Sequence, residues 1–179
     1  MFDEVMTTDR LLFRPPLVDD AAPIFDRWTS DPEVCRFLMW EAHHSVEETR
    51  EFLAGCQQAW EQPEDRFPWV LAELDDPDHS PIGMLEINVD GHIAAAGYVL
   101  APDHQRRGYA TEALTHIIDT ALNTSSIQRV AATTDVENTA SVRVMEKSGM
   151  QREGRLRRFC LRPQLGDQAR DAYIYAATI

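Results

Sequence analysis

Apolar residues recur along the chain at spacings of three to four residues, typical of helices, and of two residues, typical of strands. The clearest helical stripe runs from Ala110 to Leu122. Further helices are predicted from Asp20 to Trp28, from Ser45 to Trp60 and from Asn138 to Ser148. Short apolar or alternating runs predict strands at Arg10 to Arg14, Phe67 to Leu74, Ile82 to Val89, Ile93 to Leu100, Arg129 to Thr134, Arg155 to Leu161 and Ala172 to Ile179.

The order of these elements indicates the fold class. Consecutive strands lie between Phe67 and Leu100, and Asp90-Gly91 is a strong hairpin signal between the last two. Consecutive strands favour an antiparallel meander, whereas the later alternation of helix and strand requires a parallel crossover. We therefore predict an α/β (α+β) fold with a mixed, mostly antiparallel seven-stranded sheet and about four flanking helices, in a single domain over residues 1–179.

The amino-acid composition narrows the range of possible binding partners. Hydrophobic residues make up 44% of the 179 residues and charged residues 26%, which suits one packed domain. No apolar run approaches the roughly 20 residues that span a bilayer, so we expect no membrane partner. The formal net charge of −13 argues against nucleic-acid binding and is compatible with a cationic acceptor such as an amine.

The cysteines and histidines indicate the compartment and the absence of a metal. Three cysteines are scattered along the chain, at positions 35, 56 and 160, and fit neither a disulfide framework nor zinc spacing. The six histidines form no ligand-spaced cluster, so we expect no metal site. The acidic start of the chain lacks the basic residues of a secretion signal. We therefore expect a reducing, cytoplasmic compartment.

A glycine-containing loop between the strand ending at Leu100 and the helix after it has the composition of a phosphate site. Its pattern is Gln-x-x-Gly-x-Ala, formed by Gln105, Arg106, Arg107, Gly108, Tyr109 and Ala110. Glycine lets the backbone approach a ligand closely, and the helix start supplies free N–H groups and a positive dipole end. The two arginines add positive charge. We predict that this loop binds the pyrophosphate of a nucleotide-bearing cofactor, although an ordinary strand-to-helix turn has the same local pattern.

Several short segments occur together in an order that resembles a known family. They are Thr8 to Arg14, Asp31 to Val34, Gly97 to Leu100, Gly108 to Ala113, Asn138-x-x-Ser141, Glu146 to Met150 and Arg170 to Ala172. In this order they resemble the GCN5-related N-acetyltransferase (GNAT) superfamily, in particular its RimJ/RimL-like branch of ribosomal-protein N-terminal acetyltransferases. The resemblance extends over nearly the whole chain.

The resemblance implies acetyl-coenzyme A as cofactor and an amine as acceptor, either a protein N-terminus or a small molecule. It implies that the strand at Ile93 to Leu100 splays from the strand at Arg129 to Thr134, and that the amine attacks the thioester directly. The implied cofactor-binding residues are Tyr98, Val99, Leu100, Gln105, Arg106, Arg107, Gly108, Tyr109, Ala110, Thr111, Asn138 and Ser141.

Two residues on the predicted helix after the fifth strand have alternative roles. Asn138 is either a plain helix N-cap or, by resemblance, a partner of the pantetheine arm. Ser141 lies one turn further on the same face. It is either a small packing residue or the hydroxyl that protonates the departing thiolate, directly or through water. The superfamily often has a tyrosine acid at the position of Met145, which cannot donate a proton.

The group that deprotonates the amine is less clearly indicated. Many relatives have a glutamate where this chain has Ala94, Ala95 and Ala96. Glu86, on the neighbouring strand, is the alternative, because a carboxylate on an otherwise apolar strand side could act as the base in the acceptor cleft. A solvated strand residue is the other interpretation of Glu86, and a water chain could also remove the proton.

The missing glutamate and tyrosine leave a second functional hypothesis open. The chain could be a non-catalytic coenzyme A-binding module for sensing or assembly with the same fold. A homodimer formed through the late strands is compatible with either hypothesis. The sequence does not identify the acceptor, because acceptor loops vary within a fold.

Overall fold

Eight strands form one sheet in the computed structural model, which describes residues 2–179. The strands are β1 (Met6–Thr7), β2 (Leu11–Arg14), β3 (Arg66–Glu73), β4 (Pro81–Asp90), β5 (Ile93–Leu100), β6 (Arg129–Asp135), β7 (Gln151–Cys160) and β8 (Arg170–Thr178). The helices are α1 (Ala21–Ile24), which continues as a wider π-helical turn over Phe25–Thr29, then α2 (Pro32–Cys35), α3 (Val46–Glu61), α4 (Tyr109–Leu122) and α5 (Thr139–Lys147). Within residues 2–179, none of the helices has the length and apolar character required to span a bilayer.

The strand order across the sheet is β1-β2-β3-β4-β5-β6-β8-β7. All neighbouring pairs are antiparallel except β5 and β6, which are parallel. The prediction of a mixed, mostly antiparallel sheet is therefore confirmed. The predicted number of seven strands is wrong by one, because Met6 and Thr7 pair with Phe13 and Leu12 in a two-residue strand. Two residues are too few to show an alternating pattern.

The parallel strands β5 and β6 pair at only one end. Their paired positions are Ile93 with Arg129, Ala94 with Val130 and Ala95 with Ala131. Beyond these pairs β5 continues to Leu100 and β6 to Asp135 without further pairing to each other, whereas β6 stays paired with β8 along its length. The expected splay is thus present, and it leaves the second half of β5 with an unpaired backbone edge facing β6.

Apolar side chains are buried on both faces of the sheet because strand residues alternate in direction. On one face, Leu85 and Ile87 of β4 belong to the core cluster that includes the apolar stripe of α4. On the opposite face, Val70 of β3 and Met84 of β4 pack with residues of α1 and α3. The central strands are therefore covered on both sides, but on the unpaired edge of β5 Gly97 is exposed and Tyr98 and Val99 are half-buried.

Candidate functional site

A cavity of about 640 Å³ lies where β5 separates from β6. Its walls come from β4 at Met84 to Glu86, β5 at Ala95 to Val99, β6 at Ala131 to Thr134, and α5 at Asn138, Ser141 and Met145. Aromatic side chains close the side towards α3, namely Trp28, Phe37, Trp40 and Phe52. The predicted residues Glu86, Tyr98, Val99, Asn138 and Ser141 thus line one cavity, although they come from three elements.

A hydroxyl pair bridges the two sides of the splay. Tyr98 Oη lies 2.8 Å from Ser141 Oγ and 3.3 Å from the Ser141 carbonyl oxygen. Burial raises the pKa of the Tyr98 hydroxyl to about 12, although the hydrogen bond with Ser141 lowers it. The phenol is therefore a neutral proton donor at physiological pH. Tyr98 was predicted only as a cofactor-binding residue, and nothing in the local pattern indicated its side-chain partner.

Asn138 is the N-cap of α5. Its Oδ1 accepts a hydrogen bond from the Ser141 N–H at 3.1 Å, which supports the N-cap interpretation of its carbonyl oxygen. The side-chain Nδ2 is hydrogen-bonded to no other described residue, so the same residue could also donate to a ligand in the cavity. Ser141 is in turn fixed at both its N–H and its hydroxyl. Met145 is fully buried and also lines the cavity, where it supplies no proton.

Glu86 is held by two neighbouring side chains on the cavity wall. Arg66 of β3 donates to Glu86 Oε2 from Nε at 3.0 Å and from Nη2 at 2.8 Å. Asn88 Nδ2 donates to Glu86 Oε1 at 2.8 Å. The Glu86 side chain is 29% exposed, so it is neither a freely solvated strand residue nor a fully buried one. The arrangement keeps a carboxylate at the cavity with its oxygens in fixed directions.

The loop before α4 presents a row of free backbone donors. Gly108 adopts a left-handed conformation with φ of +89°, and Arg106 has φ of +63°. In residues 2–179, the first α4 N–H bonded within the chain is that of Glu112, to the Gly108 carbonyl, and the N–H groups from Arg106 to Thr111 have no protein acceptor. Alternating backbone conformations of this kind form concave anion sites. The loop therefore has the donors that a pyrophosphate requires.

Side chains of this loop divide into structural and solvent-exposed groups. Gln105 donates from its side-chain amide to the Leu100 carbonyl at 3.0 Å, which ties the loop to the end of β5. Arg106 and Arg107 are exposed. Tyr109 is buried and donates a hydrogen bond to Glu73, so its side chain anchors the helix start. Only the backbone of Tyr109 remains available to a ligand.

An arginine near the N-terminus supports the same loop. Arg10 donates to the Arg107 carbonyl at 3.1 Å and from Nε to Glu112 Oε2 at 2.7 Å. Thr8 donates to the other carboxylate oxygen of Glu112 at 2.6 Å. Burial alone would raise the pKa of Glu112, but the hydrogen bonds from Thr8 and Arg10 outweigh it and lower the pKa. These contacts fix the conformation of the loop, and no local sequence pattern indicates them.

Comparison with known proteins is consistent with this geometry. The family model described as an acetyltransferase (GNAT) domain matches residues 10–151. An uncharacterised N-acetyltransferase of Bacillus subtilis, YnaD, is 31% identical over 173 residues, covering 96% of this chain and 95% of its own length.

Solved structures share the fold. A GNAT-family acetyltransferase from Bacillus anthracis superposes with a TM-score of 0.83 at 27% identity, covering 97% of this chain and 98% of its own. RimJ of Mycobacterium smegmatis, solved with a coenzyme A disulfide, gives a TM-score of 0.83 at 24% identity, covering 98% of this chain and 87% of its own. The family-model match spans most of the chain, and the chain belongs to the GNAT family of acetyltransferases.

Proposed function

We propose that this protein transfers an acetyl group from acetyl-coenzyme A to a primary amine, either a peptide N-terminus or a small molecule, by direct attack. The observation that carries the proposal is the splay of β5 from β6 with the Tyr98–Ser141 hydroxyl pair inside it. A carboxylate, Glu86, lines the same cavity. A donor and an acceptor of protons therefore lie in one enclosed space, as amine acetylation requires.

The residues present fit coenzyme A at both of its ends. The free N–H groups from Arg106 to Thr111 suit the pyrophosphate, because a helix start favours anions. The unpaired backbone edge of β5 between Gly97 and Leu100 suits the amides of the pantetheine arm, which need partners of this kind. Asn138 Nδ2 is a further donor on the opposite side of the splay.

Acetyl-coenzyme A supplies a thioester whose C–S bond breaks as the acceptor nitrogen forms a bond to the carbonyl carbon. In this proposal Ser141 Oγ would give a proton to the departing sulfur, and Tyr98 Oη, 2.8 Å from Ser141 Oγ, would return one to Ser141. Because the pKa of Tyr98 is raised, its hydroxyl keeps its proton for this purpose at neutral pH.

We propose Glu86 as the group that receives the proton of the attacking amine, directly or through water. It is a carboxylate on the cavity wall, and its two oxygens are oriented by Arg66 and Asn88. No other aspartate or glutamate lines this cavity within residues 2–179. A water chain to solvent remains the alternative exit for this proton.

The cysteines support a reducing, cytoplasmic compartment for this activity. All three are free thiols in the structure. Burial raises the pKa of Cys35 to about 12, and it raises that of Cys56 to about 11. Both thiols are therefore protonated and inert at neutral pH. A homodimer through the late strands stays a prediction; β7 forms the edge of the sheet where such pairing would occur.

The test is to incubate purified protein with acetyl-coenzyme A and panels of amines and peptides, and to measure thiol release and product mass. Acetylated product from any primary amine, formed faster than without enzyme, is the expected result. Tight coenzyme A binding by calorimetry without turnover on any acceptor would instead support the non-catalytic coenzyme A-binding module.

A further inference from the structure

A buried arginine lies in the acceptor cavity without a hydrogen-bonding partner. Arg162 follows the end of β7, and only 3% of its surface is exposed. It lines the cavity at the splay together with Phe159. Its Nε is completely buried, and no described residue accepts a hydrogen bond from any nitrogen of its guanidinium group. A guanidinium carries five N–H donors, so this group has its full hydrogen-bonding capacity unused.

A buried carboxylate in the vicinity of Arg162 already bonds another arginine. Asp135 is fully buried at the end of β6. Arg170 donates to Asp135 Oδ2 from Nε at 2.6 Å and to Oδ1 from Nη2 at 3.2 Å, and the Glu137 N–H also donates to Oδ1 at 2.9 Å. The charge of Arg162 therefore contributes to the lowered pKa of Asp135, but the arginine that is hydrogen-bonded to Asp135 is Arg170.

The other charged residues that line the cavity, Arg66 and Glu86, form no hydrogen bond with Arg162. Glu86 is paired with Arg66 through two hydrogen bonds and so forms a neutral pair. The remaining lining is aromatic, aliphatic, hydroxyl or amide. A buried charge without a hydrogen-bonded partner is strongly unfavourable. The cavity therefore has one guanidinium whose buried Nε no described residue satisfies and whose charge no described carboxylate of the lining pairs with.

We propose that Arg162 binds a carboxylate of the acceptor, so that the substrates are amino acids or other amines that carry a carboxylate. The proposal rests on the proposed function. The planar fork of arginine matches a carboxylate with two parallel hydrogen bonds. A phosphate monoester carries a charge nearer to −2, which one free guanidinium does not balance. The aromatic residues Phe37, Trp40 and Phe52 suit an apolar side chain on the same molecule.

Arg162 is separate from the predicted cofactor phosphate site. No residue from Gln105 to Thr111 lines the cavity that contains Arg162. The cavity instead contains Ser141 and Tyr98, where the thioester end of the cofactor is expected. An anion at Arg162 therefore belongs to the acceptor and not to the pyrophosphate.

The experiment compares free α-amino acids with the matching amino-acid amides, which keep the amine and the side chain but lack the carboxylate. Charge-assisted hydrogen bonds correspond to a preference of about 10- to 150-fold. We expect the wild-type enzyme to show kcat/KM values higher by this factor for free amino acids. Arg162→Met should remove the preference, lowering kcat/KM for the amino acids while the amides and the KM for acetyl-coenzyme A stay unchanged.

A matched control removes an arginine of the same hairpin that lies in solvent. Arg157 is exposed on β7, so Arg157→Met should retain the preference. A second measurement needs no variant: free amino acids should raise the Tm of the coenzyme A-bound wild-type protein, and the amides should not. This measurement also applies if Arg162→Met fails to fold.

Equal rates and equal Tm shifts for amino acids and amides would overturn the carboxylate assignment, and so would equal losses on both substrate classes in Arg162→Met. These outcomes differ from failure of the proposed function. In that case no acceptor of either class is acetylated, while the Tm shift still reports whether a carboxylate binds.

Discussion

Tyr98 Oη is 2.8 Å from Ser141 Oγ, and this contact joins β5 to α5 across the splay. The two residues lie 43 positions apart in the sequence. Asn138 fixes the backbone of Ser141 from the same helix end. Asn138 therefore fixes the Ser141 backbone, and Tyr98 holds the Ser141 hydroxyl, an arrangement that suits the proton donor proposed above.

Replacing Ser141 with alanine should lower kcat by about 10²- to 10⁴-fold, the range typical of general acid catalysis. The affinity for coenzyme A, measured by calorimetry, should stay within a few-fold of the wild type. Thr139→Ala is the control, because Thr139 is exposed at the start of the same helix and should retain full activity. Unchanged kcat in Ser141→Ala would show that water protonates the thiolate.

Tyr98→Phe should lower kcat less than Ser141→Ala, because Ser141 remains in place and can exchange its proton with water. The double variant should be no slower than Ser141→Ala alone, because residues that act as a unit have non-additive effects. Steady-state rates of the four proteins provide this test. Strictly additive losses of the two single variants would contradict a shared proton path.

Gly108→Ala should weaken coenzyme A binding. Gly108 has φ of +89°, which an alanine adopts only with strain, and the added Cβ would lie 3.4 Å from Arg10 Nη2. A shift of the loop would misdirect the donors from Arg106 to Thr111. Calorimetry should show at least a tenfold higher Kd.

Gly91→Ala provides the matched control for the glycine in the loop. Gly91 also has positive φ, of +59°, but lies in the β4–β5 hairpin with open space around it. This variant should lose a similar amount of stability, about 1 kcal/mol, and bind coenzyme A normally. Equal loss of affinity in both glycine variants would indicate general destabilisation and not a phosphate site.

Glu86→Gln should lower kcat by at least about 10²-fold at neutral pH, because an amide cannot accept the amine proton. Arg66→Met keeps the carboxylate while removing its ion pair, so it should lose stability and retain more activity than Glu86→Gln. The measurements are kcat for several amines and the Tm of each variant. A Glu86→Gln protein with wild-type kcat would leave Glu86 as a structural partner of Arg66.

The pair formed by Arg170 and Asp135 should make stability depend on acid pH. Burial alone would raise the pKa of Asp135, but the hydrogen bonds from Arg170 and Glu137 outweigh it and lower the pKa below 3.8. Because the folded-state pKa lies below the unfolded-state value, the contribution to stability is present above pH 3.8 and is lost as pH falls further.

Arg170→Met should therefore destabilise the protein by about 3 kcal/mol or more at neutral pH and flatten this acid dependence. Urea unfolding at neutral pH and at several acid pH values measures both effects. Arg155→Met is the control, since Arg155 is 57% exposed where it pairs with Asp171, and should have a much smaller effect. Equal losses would contradict a special role for the buried carboxylate.

Local sequence patterns could predict those candidate site residues that lie close together within one short segment. The loop from Gln105 to Ala110 was proposed as a phosphate site, and Asn138 as a helix N-cap, because glycine and capping residues are visible within a few positions. The catalytic and cofactor-binding roles proposed for Asn138 and Ser141 came from the family resemblance. The splay was expected from the family resemblance. The fold class followed from the order of the strands, whereas the two-residue strand at Met6–Thr7 and the short helix at Pro32–Cys35 were missed.

Contacts between distant segments were not predictable in the same way. Arg10 contacts Glu112 across 102 positions, and no pattern in either segment indicates the other. Arg162 lies in the polar segment between β7 and β8. An arginine in such a segment is expected to be exposed to solvent. The burial of Arg162 depends on how β6, β7 and β8 pack, and its lack of a partner depends on Arg170 bonding to Asp135 instead.

The most direct test of the central claim is a crystal structure of the protein with coenzyme A. The pyrophosphate oxygens are predicted to lie within hydrogen-bonding distance of the N–H groups between Arg106 and Thr111. The pantetheine arm is predicted to follow β5 from Leu100 towards Gly97, with the thiol near Ser141 Oγ. A cofactor bound elsewhere, or one whose thiol lies outside the cavity containing Tyr98 and Ser141, would contradict the assignment.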